Sequence, residues 1–304
     1  MRRSLRAVAL AAALALTLAA CGGEDDATDE PTDDTTEDTT EDGAEDGAED
    51  GAEDEAEDGA DDGATDEDAA ASLDLVAEGA LTVCTDAPYE PFEFEDPDAP
   101  SGYSGFDIDL MQEIADRNDL DLVVVNAGFE GLTSGAEMAA GTCDVAASAI
   151  TITEERAANV DFTDAYYSAI QSLLVPAGSD IGSIDDLVEG VTVGVQSGTT
   201  GEAYAEENVP GAEIRAYEGG GALFTALEAG QIDAILQDEP VNANRAEQDD
   251  NVEVVETYDT GENYGFALSQ GRSDDLLEVL NSTLEEVRED GFYDELFDRY
   301  FSGA

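Results

Sequence analysis

From about residue 73 onward, short apolar runs alternate with amphipathic stretches, and no other feature constrains the fold as much. The runs at 81–85, 122–125, 143–147, 173–175, 191–195, 213–216, 233–236 and 265–268 have the length and composition of buried strands. Residues 106–118, 132–140, 200–207, 221–229, 273–290 and 291–301 read as helices. In the first of these, Phe106, Leu110, Met111 and Ile114 share one face. Such alternation predicts an α/β domain with parallel sheets and right-handed crossovers. Ligands then collect at the carboxyl ends of the strands. The stretch 72–304 is long enough for two modest lobes.

What precedes it cannot fold in this way. Arg2, Arg3 and Arg6 give a positive start, residues 7–18 are apolar but too few to span a bilayer, and Leu18-Ala19-Ala20-Cys21 follows. Small residues ending in a cysteine resemble the bacterial lipobox, which implies cleavage before Cys21 and a diacylglycerol on its sulfur. Residues 1–21 are therefore expected to be a lipoprotein signal. Residues 22–71 are Glu, Asp, Gly, Ala and Thr apart from Pro31, with a recurring Glu-Asp-Gly-Ala unit. They have little to bury and repel one another, so an extended, disordered acidic spacer is expected.

The charge extends beyond the spacer. Of 76 acids in the chain, 25 fall in residues 24–70, and three of the ten arginines precede them. The remainder carries 51 acids against seven arginines, with no lysine anywhere. That surface excludes nucleic acid as a partner and suits a cell living in high salt, a halophilic acidic proteome. It also makes each arginine informative.

With no histidine, imidazole triads and the usual zinc sites are excluded, and no metal or cofactor is expected. Cys84 and Cys143 lie in strand-like runs. An exported chain could pair them, but the sequence shows no pairing geometry, and two buried free thiols are the favoured reading.

Strand ends gather one kind of residue. Thr85-Asp86-Ala87-Pro88-Tyr89 follows the first run, Ser148-Ala149-Ile150-Thr151 a later one, Ser197-Gly198-Thr199-Thr200 another, and Gln237-Asp238 another. Arg156 is the first arginine after a long cation-free interval, and its planar fork matches a carboxylate. Taken singly, Arg156 reads as a surface residue opening a helix, the Thr pair as a helix cap, and Asp238 as a turn. Taken together, a cradle, a guanidinium and an acid fit a group that is anionic at one point and cationic beside it. An α-amino acid is such a group.

The order of these motifs resembles the amino-acid-binding proteins of ABC importers, the polar-amino-acid family of extracellular solute-binding proteins. The matching stretches are 85–94, 105–110, 150–156 with 160–163, 193–200, 233–238 and 291–294, six motifs in family order. The resemblance implies a periplasmic-binding-protein-like fold: two α/β lobes, 72–167 with 264–304 and 168–263, joined by crossovers near 166–170 and 261–264. The ligand would lie between them. It implies that Arg156 clamps the ligand carboxylate, helped by Thr151, Thr199 and Thr200. Asp238, with Ser148 and Ala149, would take the ammonium. Tyr89 and Phe129 would sandwich the side chain, while Asp86, Gln196 and Gln237 line the far end, with Glu90 a further candidate. The implied partners are a permease and an ATPase subunit, with the binding protein a lipid-anchored monomer.

A carboxylate between aromatic faces favours a basic ligand: arginine, lysine or histidine. The neutral Gln196 keeps glutamine close behind. The same fold also carries cyclohexadienyl or arogenate dehydratase-like enzymes, for which Asp86 or Glu90 could be a general acid. A ligand-sensing lipoprotein is the other alternative.

Overall fold

A computed structural model describes residues 73–271 and 274–302. The expected export signal, the lipidation of Cys21 and the spacer 22–71 lie outside the described residues.

The first sheet begins with β1 (Ala80–Thr85). A two-stranded ribbon follows, β2 (Phe94–Glu95) with β3 (Tyr103–Ser104), then helix α1 (Phe106–Arg117) and β4 (Asp121–Asn126). Short helices α2 (Phe129–Thr133) and α3 (Ala136–Ala139), strand β5 (Val145–Ala146), helix α4 (Glu154–Ala157) and β6 (Val160–Phe162) come next. The chain then crosses into a second sheet through β7 (Tyr167–Pro176). That sheet is built with β8 (Thr192–Gln196), α5 (Thr200–Asn208), β9 (Glu213–Tyr217), α6 (Gly220–Glu228), β10 (Ala234–Asp238), α7 (Glu239–Gln248) and β11 (Val252–Tyr264). The return strand β12 (Ala267–Ser269) rejoins the first sheet, and α8 (Asp274–Glu289) and α9 (Phe292–Phe301) follow. The strand orders are β4-β1-β5-β12-β6 and β11-β7-β10-β8-β9. Each sheet with its helices is one lobe.

The two crossings run side by side, with Tyr167 opposite Tyr264, Ser168 opposite Asn263 and Ala169 opposite Glu262. Beneath them lies an aromatic cluster. Tyr166 stacks on Phe266 at 4.2 Å and Tyr167 on Tyr264 at 5.5 Å, with Phe92 and Phe106 edge-on to Tyr167. Buried rings of this size each contribute about 1.5–3 kcal/mol. The crossovers therefore leave the first lobe from a rigid base. Helix α8 packs there through Leu276, Leu280, Leu284 and Val287, all buried and spaced for one helical face.

Several expectations are corrected. The sheets are mixed rather than parallel: β12 runs antiparallel to β5 and β6, and β7 antiparallel to β10 and β11. The reversed strands are those joined to the crossovers, which enter each sheet from the side of the other. The single helix expected at 132–140 is two, broken at Gly135. Gly135 has φ of +77°, and a Cβ there would meet Val160 Cγ1 at 2.8 Å, so the break needs glycine. Strand β11 went unforeseen because its acids alternate with half-buried residues and leave no apolar run. Cys84 and Cys143 form a disulfide rather than two free thiols. The parallel pairing of β1 with β5 brings them together across 59 residues of sequence, and no local pattern encodes that register.

Candidate ligand-binding site

The carboxyl ends of β1, β5, β8 and β10 converge on one small cavity. Asp86, Tyr89, Phe129, Ser148, Ala149, Thr151 and Arg156 line it from the first lobe, and Gln196, Thr199, Thr200 and Asp238 from the second. It lies where parallel strands end, the place where α/β sheets bind small ligands.

Arg156 reaches it from α4, whose start is fixed by the Thr153 hydroxyl accepting from the Arg156 N–H at 3.1 Å. The side chain is 8% exposed. Its Nη1 donates to the Thr151 carbonyl at 2.8 Å and its Nη2 to the Gly198 carbonyl, across the cleft, at 3.0 Å. The guanidinium lies 5.2 Å from the centre of the Phe129 ring. Among the described residues its hydrogen bonds thus go to carbonyls rather than to a carboxylate. Burial lowers its pKa, opposed by the nearby charges of Asp238 and Glu262.

Asp238 ends β10 and opens α7. Its Oδ2 accepts from Tyr264 at 2.6 Å and from Tyr89, in the opposite lobe, at 2.9 Å, and Oδ1 accepts from Gln171 Nε2. A carboxylate has about four acceptor positions, so one is left to face the cavity. Burial raises the Asp238 pKa to about 6, with Glu262 adding to the rise and the three donors opposing it.

The far end is simpler. Asp86 Oδ2 accepts from Gln196 Nε2 at 2.6 Å, joining the lobes, and burial raises the Asp86 pKa to about 6. Here the lobes touch closely: a Cβ on Gly220 would meet the Tyr89 ring at 2.7 Å. These contacts describe a closed cleft.

Two buried acids brace the segment between the ends. Ser148 Oγ donates to Glu93, and the Ala149 N–H donates to Asp107 Oδ2 at 2.8 Å, holding Ala149 at φ of +46°. Tyr166 also donates to Asp107, and burial raises the Asp107 pKa to about 7.

Eleven of the twelve residues singled out from sequence line this cavity; Gln237 does not. Alternate residues of a strand face opposite sides, and Gln237 turns from the cleft to donate to Asn242 Oδ1 at 2.8 Å. Glu90 is exposed and lines a neighbouring groove with Pro88, Phe224 and Arg245. Thr199 is spoken for structurally: its hydroxyl caps α5 by accepting from the Glu202 N–H and donates to the Gln196 carbonyl. Sequence reasoning missed Glu93, Asp107, Gln171 and Glu262. A charge in an apolar helix start (Asp107) and a polar residue in the first crossover strand (Gln171) are the signals that were there to be read; Glu93 and Glu262 carry none. Among the described residues no cluster of His, Cys, Asp and Glu could hold a metal ion, and no helix is long and apolar enough to cross a membrane.

Comparison with known proteins gives one consistent picture. The chain is 34% identical over 221 residues to a protein of Campylobacter jejuni named a probable histidine-binding protein, covering 72% of this chain and 84% of that one. An ancestral arginine-binding protein bound to glutamine superposes with a TM-score of 0.68 at 35% identity, over 74% of this chain and 99% of that one. An ancestral amino acid-binding protein described as a precursor of cyclohexadienyl dehydratase gives a TM-score of 0.68 at 38% identity, over 73% and 96%. The profile of the bacterial extracellular solute-binding proteins, family 3, matches residues 81–303. This chain belongs to that family.

Proposed function

We propose that this chain captures a polar L-amino acid, with basic side chains favoured, and delivers it to the permease of an ABC importer. The observation that carries the reading is the pairing of a buried cation and a buried anion on opposite walls of one small cavity. Arg156 stands in one lobe and Asp238 in the other, each with hydrogen-bonding capacity facing inward. A ligand with a carboxylate beside an ammonium satisfies both at once. An apolar solute leaves the remaining hydrogen-bonding positions of both buried charges unmet, at a cost of about 1–3 kcal/mol each.

In this reading the ligand carboxylate lies on the Arg156 guanidinium and on the N–H groups of Thr151 and Thr200. Thr200 opens α5, whose first-turn N–H groups have no helical partner and favour negative charge. The ammonium takes the remaining position on Asp238. The side chain passes Tyr89 and Phe129 toward Asp86 and Gln196. A guanidinium or ammonium there keeps Asp86 ionised, whereas the neutral Gln196 amide suits glutamine; the relatives named for histidine, arginine and glutamine bracket the same choice. Binding to an open form, followed by contacts from both lobes, shifts the population to the closed one.

The chain acts as a binder rather than an enzyme, tethered by lipid on Cys21 and reaching its permease on the acidic spacer 22–71. It works at the outer face of the cytoplasmic membrane as a monomer, with a permease and an ATPase as its partners. The test is a thermal-shift panel of the twenty amino acids, run in molar salt so that self-repulsion is screened. A rise with arginine, lysine or histidine supports the basic-ligand reading, and a rise with glutamine alone transfers specificity to Gln196. If a folded sample shifts with none, the binder reading fails, and turnover of a prephenate-like acid becomes the assay.

A further inference from the structure

Glu262 lies on β11 in the second crossover and is 8% exposed. Its Oε2 accepts from Thr151 Oγ1 of the first lobe and from Thr200 Oγ1 of the second, both at 2.9 Å. Its Oε1 accepts from Gln171 Nε2 at 3.1 Å and from Thr260 Oγ1 at 2.9 Å. These four bonds fill the acceptor positions of a carboxylate. A hydroxyl carries a single proton, so neither threonine can also donate from its side chain to a ligand.

We propose that Glu262 is a positioning residue: it turns both threonine hydroxyls onto itself and ties the lobes at the hinge, so that the ligand carboxylate is met by backbone N–H groups and Arg156. The proposal rests on the amino-acid reading of the cleft and adds a residue to it. The Thr151 N–H is free for the task. Its bridge to Tyr264 is bonded through the neighbours on either side, with Ile152 N donating to Asn263 and Gly265 N to Ile150. An acid so near a carboxylate site repels the ligand by itself. That cost is offset because Glu262 is also a counter-charge to Arg156, whose own bonds reach only carbonyls. Glu262 touches parts of the site that meet only the α-groups, and it has no hydrogen bond to Asp86 or Gln196. Its influence on affinity is therefore independent of the ligand side chain.

The experiment is a calorimetric titration of the full chain, in molar salt, with arginine, lysine, histidine and glutamine. Wild type is compared with E262Q and E262D, and ligand-free melting temperatures are measured beside them. A glutamine accepts on one side only, so two of the four donors lose their acceptor. The expected result is a fall in affinity of about tenfold or more, by a common factor for every ligand wild type binds. E262D, which keeps the charge but retracts it, recovers part of the loss at a similar melting temperature. E262Q affinity within about twofold of wild type overturns the proposal. So does a loss confined to one side chain, or an affinity that simply follows melting temperature with no recovery in E262D. If wild type bound none of the four, the functional reading and this proposal would fall together; wild-type binding matched by E262Q removes only the role of Glu262.

Discussion

At one end of the cleft, Asp238 and Glu262 together accept seven hydrogen bonds, from donors in both lobes and both crossovers. At the other, the carboxylate of Asp86 accepts one, from Gln196. The first end is saturated apart from the positions a ligand's α-groups would take. A dense network of this kind has one arrangement and tolerates little change. The second end has spare acceptor capacity and partial exposure, the properties of a place that accommodates different side chains. The contrast suggests that the cleft recognises the amino acid at one end and chooses among amino acids at the other.

Removing Arg156 gives the largest expected effect. Arg156→Ala takes away the one cation among the described residues lining the cavity and leaves Asp238 and Glu262 without it. Affinity for every amino acid should fall by more than about a hundredfold in calorimetry. Retained binding of even one amino acid at wild-type strength would remove the division between the two ends.

Asp86→Asn should be selective. Affinity for arginine or lysine is expected to drop about tenfold, while glutamine changes by less than about threefold. A uniform loss across ligands would make Asp86 part of the common machinery instead.

Acidification sharpens the same comparison. Burial raises the Asp86 and Asp238 pKa values to about 6, from the 3.8 usual for an aspartate. As pH falls through about 6 the free protein takes up protons on both, so affinity for a cationic ligand weakens. The stability of the ligand-free fold moves the other way. A carboxyl whose folded pKa is raised destabilises the fold when charged, and that penalty is relieved as pH falls from about 6 toward 3.8. Between about pH 7 and about pH 5, affinity should decline while these two groups contribute increasing stability, and Asp86→Asn should remove its share of both trends. Parallel trends in affinity and melting temperature would contradict the assignment.

Gln237→Ala gives the smallest effect on binding. Its side chain faces Asn242 behind the strand, so affinities should stay within about twofold while stability falls by about 1 kcal/mol.

Much of this is legible in the sequence. Strand ends follow from apolar runs that stop in small or hydroxylated residues, while the two crossings and the cavity residues are implied by the family resemblance that the order of the motifs carries; eleven of those residues line the cavity. What escaped depends on register or on side-chain direction. Gln237 and Asp238 are neighbours in sequence, and only the phase of the alternation along β10 decides which of them meets the cleft. Cys84 and Cys143 pair because β1 and β5 are adjacent. Glu262 sits among many exposed acids in an acid-rich strand, and nothing local marks it as the one that four donors surround. Glu93 was likewise one acid in a loop full of them, yet it is fully buried against Ser148. In so acidic a chain, composition hides the few carboxylates that matter.

The most direct measurement is a calorimetric comparison of the strongest ligand from the amino-acid panel with its decarboxylated amine. The two share a side chain and an ammonium and differ only in the carboxylate assigned to Arg156. Binding of the amino acid with loss of at least about a hundredfold for the amine is the expected result. Equal affinity for both would mean that Arg156 does not hold the carboxylate, and that the ligand lies in the cleft in some other way.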